Sequence, residues 1–196
     1  MSAEDLLIKR AQSGDIAAFE ALIEAYEQKV FHIAYRMAGN PDDAADMAQE
    51  ILLKIFRNVG KFKGESKFST WVYRVATNTC LDELKKAKRK AAYSLDEEFE
   101  TEEGQLGVEV ADTAPTPEQR VEGQEIRDAI TEAISRLSEE HRQIIILRDI
   151  NGLTYEEVAD ILDCSLGTVK SRISRAREQL RKILSQDREL FERYYV

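Results

Sequence analysis

Near the C-terminus, Thr168, Ser171, Arg172 and Arg175 follow one another at steps of three, one and three, with Lys170, Ser174, Arg177 and Arg181 beside them. On a helix, those steps place hydroxyl, ammonium and guanidinium groups along one side. Leu166, Val169, Ile173, Ala176 and Leu180 then line the other. Such a division suits recognition rather than catalysis: one face anchors the helix, one offers donors to base edges, and the shoulders hold phosphate. Arg172 or Arg175 could fork onto a guanine edge, worth about 1–3 kcal/mol of discrimination per good contact. Thr168, Lys170, Ser171, Arg172, Arg175 and Arg177 are the candidate contacts. The competing reading is a solvated basic face on a terminal helix.

A second constellation lies earlier. The run Lys61-Phe62-Lys63-Gly64-Glu65-Ser66-Lys67 precedes a helical stretch in which Trp71, Arg74 and Asn78 align at steps of three and four. An aromatic face and an amide beside a basic loop can hold an unstacked base, supplying a π-surface, donors and neutralising charge. Lys61, Lys63, Gly64, Ser66, Lys67, Trp71, Arg74 and Asn78 are the candidates; a lone Trp such as Trp71 is more often core than platform, so Asn78 and the loop carry more of the inference. Lys85 and Lys86 open a basic run to Lys90 suited to backbone phosphate. A third set, Asp46, Gln49, Glu50 and Leu53, shares one helix face, an acidic-polar surface suited to a basic partner helix or simply to solvent.

Composition narrows the classes. Net charge is −9, yet Gly60 to Tyr93 carries nine basic and three acidic residues, and Cys164 to Ile183 carries six basic residues against Glu178. Between Asp96 and Asp128 stand twelve acids and only Arg120 and Arg127. Two basic islands therefore flank an acidic bridge, and that asymmetry outweighs the total. Cys80 and Cys164 are isolated, which disfavours disulfide and zinc frameworks and leaves both as small fillers. His32 and His141 fall in different helical segments without an accompanying nucleophile, metal cluster or phosphate loop, so an enzyme is disfavoured and no cofactor is expected. The first thirty residues mix charge and apolarity too closely for a secretory leader, and no apolar run reaches spanning length. The expected location is the cytoplasm.

The spacing predicts an all-α chain of two small helical domains. Asp15 can cap a helix burying Phe19, Leu22, Ile23, Tyr26, Val30, Ile33, Ala34 and Met37, which Gly39-Asn40-Pro41 ends. The next, from near Asp42, buries Ala44, Ala48, Ile51, Leu52, Ile55 and Val59. Ser69 or Thr70 can cap a third, with Val72, Val75, Ala76 and Thr79 inward, and a short helix can precede Ser13. Expected boundaries are 1–93 for this domain, 94–117 for a flexible acidic linker, 118–187 for a helix-turn-helix domain and 188–196 for a tail. In the second domain, Val121, Ile126, Ile130, Ala133, Ile134 and Leu137 keep helical spacing. Ser138 can cap a helix whose core residues are Ile144 to Leu147 and Ile150. Thr154 and Glu157 fit a capping box, Asp163-Cys164 forms a turn, and Ser165 caps the last helix.

Leu153-Thr154-Tyr155-Glu156-Glu157-Val158-Ala159, then Ser165-Leu166-Gly167-Thr168-Val169-Lys170-Ser171-Arg172 with Arg175-Ala176-Arg177, resembles the last domain of the extracytoplasmic-function (ECF) sigma factors. LuxR-type regulators share a looser form of this pattern. The N-terminal half separates the two: Asp43-Ala44-Ala45-Asp46-Met47-Ala48-Gln49-Glu50 and Phe68-Ser69-Thr70-Trp71-Val72-Tyr73-Arg74-Val75-Ala76-Thr77-Asn78 resemble the first conserved sigma domain. The resemblance implies a non-catalytic subunit that binds core RNA polymerase through the beta-prime clamp helices and the beta flap and initiates transcription at promoter DNA. It implies −35 recognition by the C-terminal helix, melting and base capture at the −10 element by the loop and Asn78, and polymerase docking by Asp46, Gln49, Glu50 and Leu53. It further implies an anti-sigma factor, membrane-linked, that holds the chain inactive until a stress signal. A small-molecule substrate and direct membrane insertion are not implied.

Overall fold

The computed structural model describes residues 2–94 and 127–186, and every regular element among them is helical. They form two units. The expected linker, the acids from Asp96 to Glu125, Val121 and Ile126 lie outside the described residues, as does the tail from Asp187 with Phe191, Tyr194 and Tyr195.

The first unit holds four helices: α1 (Ala3–Gln12), α2 (Ile16–Ala38), α3 (Pro41–Asn58) and, after a single 3₁₀ turn (Val59–Lys61), α4 (Phe68–Ser94). Each start has a chemical cause. Ser2 and Asp5 form a reciprocal capping box on α1. Asp15 accepts the Ala18 N–H at 3.0 Å on α2, and that bond and the Arg10 guanidinium hold its carboxyl below the usual range. On α3, Asn40 accepts the Asp43 N–H at 2.9 Å with Pro41 in the first turn. Gly39, at φ +86°, ends α2 in the left-handed conformation, and its N–H donates to the Tyr35 carbonyl at 2.8 Å.

The helix α2 buries Leu22, Ile23, Tyr26, Val30, Ile33, Ala34 and Met37 as its spacing predicts, with Phe19 half-buried. Two neighbours differ from expectation. On α3, Met47 is buried and Leu52 only half-buried. That helix packs on both α2 and α4, so its covered arc is wider than a single stripe and turned toward Met47. On α4, neither Ser69 nor Thr70 caps the start. The helix begins at Phe68, with the Trp71 N–H donating to the Lys67 carbonyl, and Thr70 is buried. Phe68 explains the shift. Its ring sits edge-on to Tyr26 at 5.5 Å and to Phe62 at 5.3 Å, and drawing it into the core carries the helix start with it. Tyr73, Thr77 and Cys80 join Val72, Ala76 and Thr79 inside, while Val75 is half-buried. Burial pushes the Cys80 thiol up to about 12, as suits an inert filler.

In the second unit, residues 127–135 form α5, followed by α6 (Glu139–Ile145), a π-turn (Ile146–Ile150), α7 (Tyr155–Leu162) and α8 (Leu166–Gln186). Ser138 occupies the N-cap of α6, but its hydroxyl makes no capping bond. Instead Arg142 reaches back to the Ser135 and Leu137 carbonyls and ties the end of α5 down. Gln143 to Leu147 are all buried, as in a helix enclosed on every side. Ile150, expected in the core, is 37% exposed. The π-turn adds a residue to the helical repeat and rotates the end of the segment outward. Asn151 closes that turn, its backbone and side-chain N–H groups both donating to the Ile146 carbonyl.

One substitution tests the first core directly. Ile51 is fully buried, and Ile51→Ala should cost about 2–5 kcal/mol in the N-terminal unfolding transition under denaturant. A loss below about 1 kcal/mol would contradict this packing.

Candidate nucleic-acid interface

The helix-turn-helix is fixed at both of its helix starts. Thr154 N–H donates to the Glu157 carboxylate at 3.0 Å and Glu157 N–H to the Thr154 hydroxyl at 3.2 Å, the reciprocal box the sequence predicts. Asp163 takes the left-handed conformation at φ +48° in the turn. Ser165 accepts the Thr168 N–H at 3.1 Å and shares a hydrogen bond with the Thr168 hydroxyl at 2.9 Å. Val169, Ile173, Ala176 and Ile183 are buried and seat α8. Leu166 is 41% exposed, against expectation. Leu180 is half-buried, and Ile183 extends the stripe.

On the opposite side of α8, Lys170, Ser171, Arg175 and Arg177 are exposed, and Thr168 and Arg172 are half-buried. They do not stand alike. Thr168 is part of the cap, and the Ser171 hydroxyl donates to the Thr168 carbonyl at 3.0 Å. Arg172 lies 3.7 Å from Glu140 on α6, a long contact at a water-exposed carboxylate. Arg177 instead forks onto Asp149 of the π-turn at 2.5 and 3.0 Å, which fixes its guanidinium. A groove of about 330 Å³ runs beside it, lined by Tyr155, Lys170, Ile173, Ser174, Arg177, Glu178 and Arg181. Arg148 stacks over the Tyr155 ring at 4.8 Å and donates to the Leu153 carbonyl at 2.6 Å, bracing one wall.

The loop before α4 presents Lys61, Lys63, Gly64 and Lys67 to solvent, with Ser66 half-buried. Gly64 sits at φ +74°, where a side chain would be strained, so the loop turns there. Phe62 packs inward at 5.7 Å from Trp71, and Phe68 lies 5.5 Å from Trp71. Trp71 thus closes an aromatic cluster and stays half-buried. Asn78 is exposed two turns along α4, beyond Arg74. Lys85 and Lys86 are exposed further on, and Lys86 pairs with Glu83 at 2.6 Å.

On α3, Asp46, Gln49 and Leu53 are exposed and Glu50 half-buried, opposite Ala44, Ala48, Ile51 and Ile55. Phe56, 46% exposed and edge-on to Phe19 at 4.9 Å, extends that face with an apolar contact the sequence reading missed. Its place three residues after Leu53 was the available signal. Asp149, Arg148 and Tyr155 were missed too. Their signal was a charged pair set between buried Leu147 and Leu153.

The Asp149–Arg177 fork holds one cation of α8 back from solution. Asp149→Asn should release it at a stability cost of at most about 1 kcal/mol, since both partners are partly exposed. Titrating duplex DNA by fluorescence anisotropy should then show a salt dependence steeper by about one counterion. An unchanged slope would place Arg177 away from the phosphates.

Residues 22–90 match Sigma-70 region 2 and residues 127–180 match Sigma-70, region 4. The chain is 38% identical over 178 residues to the ECF RNA polymerase sigma factor SigW of Bacillus subtilis, covering 90% of this chain and 94% of that protein. It is 37% identical over 177 residues to the ECF RNA polymerase sigma-E factor of Escherichia coli K12, covering 90% and 92%. Two solved structures share the fold at 24% identity. One is sigma factor RpoE of Bartonella quintana, in complex with the anti-sigma factor NepR, with a TM-score of 0.67 over 87% of this chain and 98% of that one. The other is CnrH in complex with the cytosolic domain of CnrY, with a TM-score of 0.64 over 95% and 99%. With region 2 and region 4 in order and such identity over nine-tenths of its length, the chain belongs to the ECF sigma factors of RNA polymerase.

Proposed function

We propose that this sigma factor binds core RNA polymerase through the α3 face of Asp46, Gln49, Glu50, Leu53 and the adjoining Phe56, and through the beta flap by its second domain. It reads the −35 element with Lys170, Ser171, Arg172 and Arg175 at the front of α8. Thr168 serves the helix start, and Arg177 contributes charge from its fork with Asp149. Lys61, Lys63, Gly64, Ser66 and Lys67 hold the melted −10 strand beside Trp71, Arg74 and Asn78, while Lys85 and Lys86 neutralise phosphate. The subunit is non-catalytic and works in the cytoplasm. The domains correspond to residues 1–93 and 118–187, joined by 94–117.

One observation carries this reading most. The helix α8 is buried along Val169, Ile173, Ala176 and Ile183 and exposes Lys170, Ser171 and Arg175 behind a capped turn, the geometry a groove-entering helix requires. Control by an anti-sigma factor is supported by the two solved relatives of the same fold, each held by such a protein or by a partner's cytosolic domain.

Run-off transcription with core polymerase and a genomic promoter library tests the reading. Wild type should direct initiation at a discrete promoter set. Arg172→Ala should change upstream preference, at about 1–3 kcal/mol for the base pair it reads. Asn78→Ala should leave upstream preference intact and impair melting or start-proximal preference. Failure to support initiation with core polymerase, together with tight binding of a palindromic duplex by the chain alone, would overturn this reading.

A further inference from the structure

The loop that carries Lys63, Gly64 and Ser66 has two ends, and they are held differently. Its exit is anchored by Phe68, which is buried in the core. Its entry is a single 3₁₀ turn, Val59–Lys61, closed by one hydrogen bond from the Phe62 N–H to the Val59 carbonyl at 3.1 Å. A turn that short cannot by itself fix the direction in which the chain leaves.

Buried Val59 and the Phe62 ring against Phe68 and Trp71 hold the entry from its apolar side, and a residue from outside the turn adds a polar support. The Gln12 side-chain amide lies 3.1 Å from the Val59 carbonyl oxygen and 2.8 Å from the Phe62 carbonyl oxygen. Its two amide hydrogens match the two acceptors, one on each side of the loop entry. Gln12 is the last residue of α1, before the stretch that matches Sigma-70 region 2.

The helix end that bears Gln12 is rigid. Ile8 and Ala11 are buried. The Ser13 N–H donates to the Arg10 carbonyl at 3.0 Å and the Gly14 N–H to the Ala11 carbonyl at 3.0 Å. Arg10 pairs with Asp15, the cap of α2, through Nε at 2.9 Å and Nη2 at 2.7 Å. A strut is useful only when its own base does not move, and here the base is locked to α2.

We propose that Gln12 is a positioning residue for base reading: it fixes the entry of the 62–67 loop so that the loop and Asn78 present one geometry to the −10 strand. This rests on the assignment of that loop to −10 recognition. Gln12 touches no DNA in this scheme and changes no charge on the loop. Its loss therefore lowers discrimination between bases more than charge-driven affinity, because the loop keeps Lys61, Lys63 and Lys67 in any direction whereas a base-edge contact needs one geometry.

The test uses the full chain assembled with core polymerase. The probe is a labelled single-stranded oligonucleotide bearing the −10 sequence of a promoter that this holoenzyme uses, compared with the same strand substituted one base at a time. The readout is the ratio of affinities, which corrects for any general change in binding. Gln12→Met removes both donors at similar size and should reduce the ratio at the most selective position about five- to tenfold, with core affinity unchanged and the thermal transition only slightly lowered. Gln12→Lys keeps donors for both carbonyls and should hold the ratio within about twofold of wild type. Retention of the wild-type ratio by Gln12→Met, or equal loss in both variants, would overturn the inference. Asn78→Ala separates this from the underlying reading. If it lowers the ratio while Gln12→Met does not, only the role of Gln12 is wrong. If neither lowers it, the loop and Asn78 do not read the −10 strand, and the inference falls with that assignment.

Discussion

Net charge of −9 opposes every approach to a polyanion, so DNA contact is confined to surfaces where the local sign reverses. The fold is organised around that constraint. On α8 a single stripe is buried, which leaves its cations on the outside. On α4 the first three turns are seated by Phe68, Val72, Ala76 and Cys80, and the basic residues from Lys85 to Lys90 follow where burial has ended. Acids are placed among the cations selectively. Asp149 immobilises Arg177, Glu178 holds Arg181, and Glu83 holds Lys86. The cations are confined to two short stretches of modest net charge, which limits the affinity of the isolated chain for any sequence. Specific recognition then depends on presenting several modest contacts together.

Rigid framing of short polar segments is the second theme. The helix-turn-helix depends on two small cap networks, at Thr154–Glu157 and Ser165–Thr168. The groove beside α8 is braced by Arg148 against Tyr155. In the first unit, the Phe62–Phe68–Trp71 cluster pins a loop that would otherwise have little to pack on. Most of the framing side chains are distinct from the candidate contacts, while Thr168 and Trp71 belong to both sets.

Much of this was legible in the sequence because it rests on local rules. The stripe of α2 follows from period alone, and the caps at Asp15, Thr154 and Ser165 follow from residue type and spacing. The failures are equally local in appearance but tertiary in cause. Ser69 and Thr70 are good caps in isolation, yet the burial of Phe68 begins the helix earlier. Ile150 fits the apolar run, but the π-turn rotates it outward. For the candidate interface, residue type proposes which side chains could meet DNA, and the buried stripe of α8 follows the predicted spacing at Val169, Ile173 and Ala176 but not at Leu166. What period and composition do not encode is pairing at a distance. The partnership of Arg177 with a residue 28 positions away distinguishes it from Arg175, the same residue type two positions earlier on α8.

The central claim is that promoter reading by this chain requires polymerase. Footprinting one responsive promoter at physiological salt with the chain alone, core polymerase alone and the two together tests it most directly. The account predicts protection of two separated elements, with melting near the start, only when both are present. Tight, sequence-specific protection by the chain alone would contradict it.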